Sequence, residues 1–286
     1  MLDRPRGPLD SDTVRAYRSR VGRFMEWLSS ADVDGEPLTD PVARDWAVRD
    51  YRTYLLTVAG RRPSTVNAHM TAIADFYRRR ALGPASARRE ELPKAAPRAL
   101  DARAQQRWLR AAEQASQRDK ALAYAGFYAG LRISEMVALN LGDVRMSARK
   151  GHLVVRYGKG GRYREVPLHP ALRTTLQAWF EERPNWPGAT EGTALFLNRR
   201  GGRLSTRGAY GVLTSLAEQA RIPVGRSGDF TPHVLRHTAA TILTRAGTDI
   251  VLVAEIFGHS VETARRYALP TEQDRQAAIE RLPVDR

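Results

Sequence analysis

Four short segments of this 286-residue chain place phosphate-binding or proton-transferring side chains at the ends of predicted elements. In Gly130-Leu131-Arg132-Ile133-Ser134-Glu135, Arg132 follows a glycine suited to ending a helix, and Glu135 is close enough to orient it. Lys159 stands between glycines in Gly158-Lys159-Gly160-Gly161-Arg162. Thr231-Pro232-His233-Val234-Leu235-Arg236-His237 opens a helix, with Thr231 as cap and Pro232 in the first turn. His233 and Arg236, three positions apart, then share a face at a helix N-terminus, where an anion is favoured. Last, Gly258-His259-Ser260 is followed by Tyr267, eight residues after His259. Arginine forks hold phosphate oxygens, imidazoles move protons, and a lysine ammonium has a proton it can transfer.

The lysine is notable for its rarity. Of 46 basic residues only four are lysine, Lys94, Lys120, Lys150 and Lys159. Where this chain needs only positive charge it uses arginine.

The elements that must position these side chains are mostly helices. Val14, Tyr17, Val21, Phe24, Trp27 and Leu28 recur at helical spacing after a capping Asp10-Ser11-Asp12. A second helix is predicted over 42–58, closed by Gly60, and a third after Pro63, with Val66, Met70, Ile73, Phe76 and Tyr77 on one side and Arg78, Arg79 and Arg80 at its end. Residues 83–100 hold three prolines and no periodic apolar face, the composition of a linker. Beyond it, helices are predicted over 102–116, 119–129 and 133–139. Residues 152–157 and 163–168 read as strands joined by the glycine-rich turn around Lys159. Helices are expected again over 170–182, 207–220, 232–246, 249–257 and 272–281. The organisation expected is a helical domain over 1–84, a linker over 85–100 and a mainly helical domain with a small antiparallel sheet over 101–286: a mostly α, α+β fold.

Composition narrows the function. The formal charge is +15 and the sequence pI about 10.7, which makes nucleic acid the expected partner. Both parts of the chain are basic. The absence of cysteine excludes disulfides, thiolate metal sites and cysteine nucleophiles. No stretch approaches the roughly 18 apolar residues of a membrane span, and the charged, proline-containing first residues lack an apolar signal segment, so a cytoplasmic protein is expected. No cluster of carboxylates marks a metal-dependent nuclease site, and no cofactor is expected.

The ordered set Arg132, Lys159, His233-x-x-Arg236, Gly258-His259 and Tyr267 resembles the tyrosine site-specific recombinases, the phage integrase family, over essentially the whole chain. The resemblance implies that Tyr267 attacks a DNA phosphate and forms a 3′-phosphotyrosyl link, that Arg132 and Arg236 hold the phosphate oxygens, and that His259 donates to the transition state. It further implies Lys159 as general acid, His233 as base or hydrogen-bond partner of the tyrosine, and Glu135 as an orienting residue. The family's histidine-to-tyrosine interval is usually nine residues and here is eight. Either a short loop absorbs the difference or the tyrosine is displaced. The implied partner is double-stranded DNA carrying recombination sites, gripped in a C-shaped clamp by a homotetramer that works through a Holliday junction. Residues 270–286, with Ala277, Ala278, Ile279 and Leu282, are expected to dock on a neighbouring protomer. Asn67, His69 and Thr71, expected on the exposed face of the third helix, and Arg78, Arg79, Arg80, Arg200 and Arg203 are candidate DNA contacts. A type IB topoisomerase and a DNA-binding protein without catalysis are the alternatives.

Overall fold

Among the described residues, four helices begin on a proline, whose missing N–H costs nothing in a first turn and whose fixed φ is already helical. The computed structural model describes residues 11–92, 96–147, 150–156, 163–225, 230–270, 274, 276 and 279–280. The chain divides into two compact units, Met1–Lys94 and Ala95–Arg286.

The first unit contains α1 (Ser11–Leu28), α2 (Pro41–Thr57) and α3 (Pro63–Arg79). Asp40 caps α2, accepting from the N–H groups of Val42 and Ala43 at 3.0 and 3.2 Å. Their apolar faces close around Phe24, Val48, Tyr51, Leu55, Val66, Met70, Ile73 and Tyr77. His69 lies on that same face of α3 and is 2 % exposed, a correction to its expected place on the exposed face. Its Nδ1 is 3.2 Å from the Tyr51 hydroxyl. Burial, reinforced by Arg20, Arg23 and Arg61, pushes the imidazole down to about 4, so the ring is neutral where it packs.

The predicted linker is tied down at both ends. Ala85 and Ala87 pack on the first core. Asn67 is bonded to the Glu90 backbone through both ends of its carboxamide, Nδ2 to O at 2.9 Å and N–H to Oδ1 at 2.8 Å. In the second unit, the Leu100 N–H donates to Thr238 Oγ1 at 2.9 Å. An extended strap buries side chains without helical periodicity, so its packing leaves no pattern in the sequence.

The second unit runs α4 (Ala102–Glu113), α5 (Gln117–Tyr128), α6 (Ile133–Ala138), β1 (Val144–Met146), β2 (Gly151–Val155), β3 (Arg164–Pro167), α7 (Pro170–Glu182), α8 (Thr206–Gln219), α9 (Pro232–Arg245), α10 (Ile250–Phe257) and α11 (Val261–Arg265). Its axis is α5, where Ala121, Leu122, Ala123, Ala125 and Gly126 are all buried. The three alanines and the glycine let α4, α7, α8 and α9 approach closely. The sheet is antiparallel in the order β1-β2-β3, with Val155 opposite Arg164 and Leu153 opposite Val166. Two elements go beyond the sequence reading: the short edge strand β1 and α11. A separate apolar cluster of Ala239, Ala240, Val253, Ala254, Phe257, Ala264 and Tyr267 joins α9, α10 and α11.

Among the described residues, no helix is long and apolar enough to cross a membrane. Of the C-terminal segment, positions 274, 276 and 279 are helical and Ile279 is exposed. Ala277, Ala278 and Leu282 lie outside the described residues.

Candidate active site

The site begins where α5 ends. Gly130 turns the chain with φ +56°, and a Cβ there would lie 2.1 Å from a ring carbon of Phe257. Only glycine fits, and its carbonyl is left facing α9. Arg132 then caps α6. Its backbone N–H donates to Glu135 Oε2 at 2.9 Å and its Nη1 to Oε1 at 2.7 Å. Glu135 is 3 % exposed and takes a second fork from Arg164, Nη1 to Oε1 at 3.0 Å and Nη2 to Oε2 at 2.7 Å. Arg164 is anchored in turn by its Nε on the Ile256 carbonyl at 3.1 Å. The Arg236 guanidinium lies 3.8 Å from Glu135. One carboxylate thus orients Arg132 and is itself held by an arginine on the sheet.

Burial alone pushes the Glu135 carboxyl up, but the hydrogen bonds and charge of Arg164, then those of Arg132, overcome it and bring it to about 2. Because this lies below the ordinary 4.5, the carboxylate stabilises the fold above about pH 4.5, and that contribution is lost as the pH falls towards 2. Glu135→Gln is expected to lower stability at neutral pH by about 3–5 kcal/mol, the scale of breaking a buried ion pair. It is also expected to flatten the acid limb of stability. Thermal denaturation across pH checks both, and an unchanged acid limb would assign that limb to another group.

Arg236 comes from the second turn of α9 and is 1 % exposed. Its Nη1 donates to the Gly130 carbonyl at 2.7 Å, its Nη2 to the Phe257 carbonyl and its Nε to His259 Nε2 at 3.2 Å. Thr231 occupies the N-cap position of α9, but its side chain makes no capping hydrogen bond. His233, in the first turn, is exposed, and its side chain makes no hydrogen bond among the described residues.

His259 is delivered by the end of α10. Asp249 caps that helix, and Gly258 closes it in the left-handed region at φ 58°. The His259 N–H folds back onto the Ala254 carbonyl at 2.8 Å. Ser260 caps α11, and a 3-10 turn over Arg266–Ala268 carries Tyr267 back to the site. The Tyr267 hydroxyl is 2.9 Å from His259 Nε2 and 3.1 Å from His237 Nδ1, and the residue is 2 % exposed. The eight-residue interval is thus spanned by helical turns that bring the Tyr267 hydroxyl onto His259.

The structure brings Arg132, Glu135, Arg236, His259 and Tyr267 together. Lys159, between β2 and β3 in the sequence, lies outside the described residues. Two neighbours of the tyrosine and the carboxylate were missed from the sequence, His237 and Arg164. The bond to the Tyr267 hydroxyl expected of His233 is made by His237, one helical turn further on. Its signal was the second histidine of His233-x-x-Arg236-His237, and that of Arg164 a lone arginine at the root of the hairpin. Burial raises the Tyr267 phenol, against the pull of Arg236, Arg132 and Arg266. Burial also lowers His259, to about 3, aided by Arg236 and Arg132.

Away from this centre, several candidate DNA contacts are engaged within the protein. Thr71 bonds back to the Asn67 carbonyl at 2.8 Å. Arg79 pairs with Asp75 at 2.7 Å, Arg80 lies 5.3 Å over the Phe76 ring, and Arg78 is partly buried. Arg203 holds the Val137 and Leu139 carbonyls at 2.7 and 3.0 Å, which makes it a clasp on the end of α6. Arg200 is exposed in the preceding turn. Among the described residues, no group of three or more His, Asp or Glu is placed to hold a metal ion.

A tyrosine hydroxyl held by imidazoles beside a carboxylate-ordered arginine pair, on a helical unit with a three-stranded sheet, defines a class of protein, and comparison agrees with it. Residues 98–274 match the model of the phage integrase family. Tyrosine recombinase XerC of Roseiflexus castenholzii is 32% identical over 276 residues, 91% of this chain and 83% of the relative. Tyrosine recombinase XerD of Mycobacterium tuberculosis is 42% identical over 157 residues, 54% of this chain and 48% of the relative. Among solved structures, XerH recombinase bound to a palindromic difH substrate superposes with a TM-score of 0.73 at 20% identity, over 94% of this chain and 79% of that one. A lambda integrase tetramer bound to a Holliday junction gives 0.67 at 15% identity, over 94% and 75%. This chain belongs to the phage integrase family, the tyrosine site-specific recombinases.

Proposed function

We propose that this chain cleaves and rejoins double-stranded DNA at specific recombination sites through a 3′-phosphotyrosyl intermediate. The observation that carries this reading is the Tyr267 hydroxyl, held by two imidazoles next to the Arg132, Glu135 and Arg236 network. Tyr267 attacks the scissile phosphorus, the P–O5′ bond breaks, and the bond energy is kept in the phosphotyrosine until an incoming 5′-hydroxyl reverses the step.

Arg132, with only Nη1 engaged among the described residues, and Arg236 balance the charge on the non-bridging oxygens. For Arg236 this means exchanging its Nε bond to His259 for one to phosphate. Lys159 protonates the leaving 5′ oxygen, a task an arginine cannot perform. It stands four residues beyond Val155, the end of β2, in the sequence. That end lies opposite Arg164, which reaches Glu135. His233, exposed in the first turn of α9, acts as a further phosphate ligand. Residues 1–84 form the DNA-binding domain that accompanies the catalytic one. As in the lambda integrase structure on a Holliday junction, the working form is a homotetramer.

The test is to incubate the protein in chelator with nicked duplex fragments of the genome that encodes it, then resolve the products in detergent. A short strand released beside the nick prevents rejoining. A detergent-stable adduct on the DNA 3′ end supports the reading, and sequencing the trapped DNA identifies the site. Salt-sensitive binding without any adduct would overturn it, and relaxation of supercoiled plasmid by monomers at many sequences would point to a topoisomerase.

A further inference from the structure

The hydrogen bonds around Tyr267 determine which imidazole gives and which receives. Arg236 Nε has only a proton to offer, so His259 Nε2, 3.2 Å away, must present a lone pair. The same Nε2 faces the Tyr267 oxygen at 2.9 Å, and with no proton on Nε2 the tyrosine must donate. The phenol has a single proton and has spent it. His237 Nδ1, 3.1 Å from the same oxygen, can therefore bond to it only as an N–H donor.

Resting on the reading of Tyr267 as nucleophile, we propose that His237 is a catalytic residue of this enzyme, whose Nδ1–H holds the Tyr267 oxygen and stabilises the phenolate as His259 Nε2 takes its proton. The step balances. The Tyr267 O–H bond breaks and its proton goes to His259, the oxygen bonds to phosphorus, and the P–O5′ bond breaks with O5′ protonated by Lys159. His259 returns its proton when the phosphotyrosine is resolved. Taking the proton also turns Nε2 from acceptor into donor, ready for a non-bridging oxygen as Arg236 turns towards the phosphate.

Among the described residues, the charged and titratable groups around this pair come from four elements. His233 and Arg236 come from α9, Arg132 from α6, Arg164 from β3 and Arg266 from the turn that carries Tyr267, with Glu135 of α6 3.8 Å behind Arg236. Burial first, then His233, Arg236 and Arg266, press His237 down to about 4. It thus works as a neutral donor rather than an imidazolium. Burial first, then Arg236, Arg132 and Arg164, hold His259 neutral in the free protein, and a bound phosphodiester offsets the arginines' charge and raises its basicity.

The free protein tests the assignment without DNA. Long-range proton–nitrogen NMR reads the tautomer of each of the six histidines, with His237 assigned from the signal lost in His237→Asn. The expected result is a proton on Nδ1 of His237, and a proton on Nε2 instead would overturn the proposal. The second arm is single-turnover adduct formation on the nicked duplex trapped by the wild-type protein. His237→Leu is expected to slow it by about a hundredfold at neutral pH, the scale of one proton-handling group, with the loss shrinking as the pH rises. DNA affinity should not move. His237→Asn, whose amide N–H takes nearly the place of Nδ1–H, should keep most of the rate. Equal losses for Leu and Asn at every pH would mean a purely structural role. If the wild-type protein forms no adduct while the tautomer is as expected, it is the recombinase reading that fails and not the hydrogen-bond assignment.

Discussion

Tyr267→Phe is expected to abolish the covalent DNA adduct while leaving salt-sensitive DNA binding close to that of the unsubstituted protein. The substitution removes one oxygen. The ring remains in the cluster with Ala240, Val253, Phe257 and Ala264, so the turn over Arg266–Ala268 keeps its apolar anchor. Two imidazole nitrogens lose a partner, at a cost of about 1–3 kcal/mol, a modest drop in thermal stability. The chemistry has no ready substitute nucleophile: the chain has no cysteine, and among the described residues no other tyrosine hydroxyl bonds to His237 or His259. The measurement is the detergent gel with wild-type and variant protein at equal DNA occupancy. An adduct of undiminished yield from the variant would falsify Tyr267 as nucleophile.

Arg236→Lys is expected to give the next largest loss, about 10²–10³-fold in the rate of adduct formation, as for removal of one preorganised donor to a developing oxyanion. The charge is kept, so an effect of charge alone predicts little change. What disappears is a planar fork that holds the Gly130 and Phe257 carbonyls and His259 at once. A lysine ammonium cannot hold three such acceptors in one plane. Loss of the two carbonyl bonds frees the Gly130 turn and the end of α10, and with them the placing of His259. Single-turnover kinetics beside thermal denaturation separate the two effects. A rate within threefold of wild type would remove Arg236 from the reaction, and a slow rate in a fully stable variant would place its role in the chemistry.

How much of this was legible from residues alone depends on the range of the interaction. Local signals carried far. The three-and-four spacing of Val66, Met70, Ile73 and Tyr77 marked the buried face of α3, and Gly258 marked the end of α10. His69 lies on that spacing too, three after Val66 and four before Ile73, but its polar side chain suggested solvent. Tyr51, on another helix, supplies the hydrogen bond that lets it be buried. α11 is only five residues long, too short for a periodic apolar face, and was passed over for that reason.

Residue types, order and spacing by themselves determined the class of fold and that Arg132, Arg236, His259 and Tyr267 would meet, because the first three stand at or near the end of a helix marked in the sequence and Tyr267 follows His259 by eight residues. Only the tertiary structure decided who bonds to whom. The contacts of Glu135 with Arg164 and of His237 with Tyr267 span 29 and 30 residues. Neither leaves a local pattern, since each is set by how α6 meets β3 and how α9 meets the turn after α11. Packing of that kind is specified by shape and volume across the whole core, and it separated His237 from His233, two like residues one turn apart on the same helix.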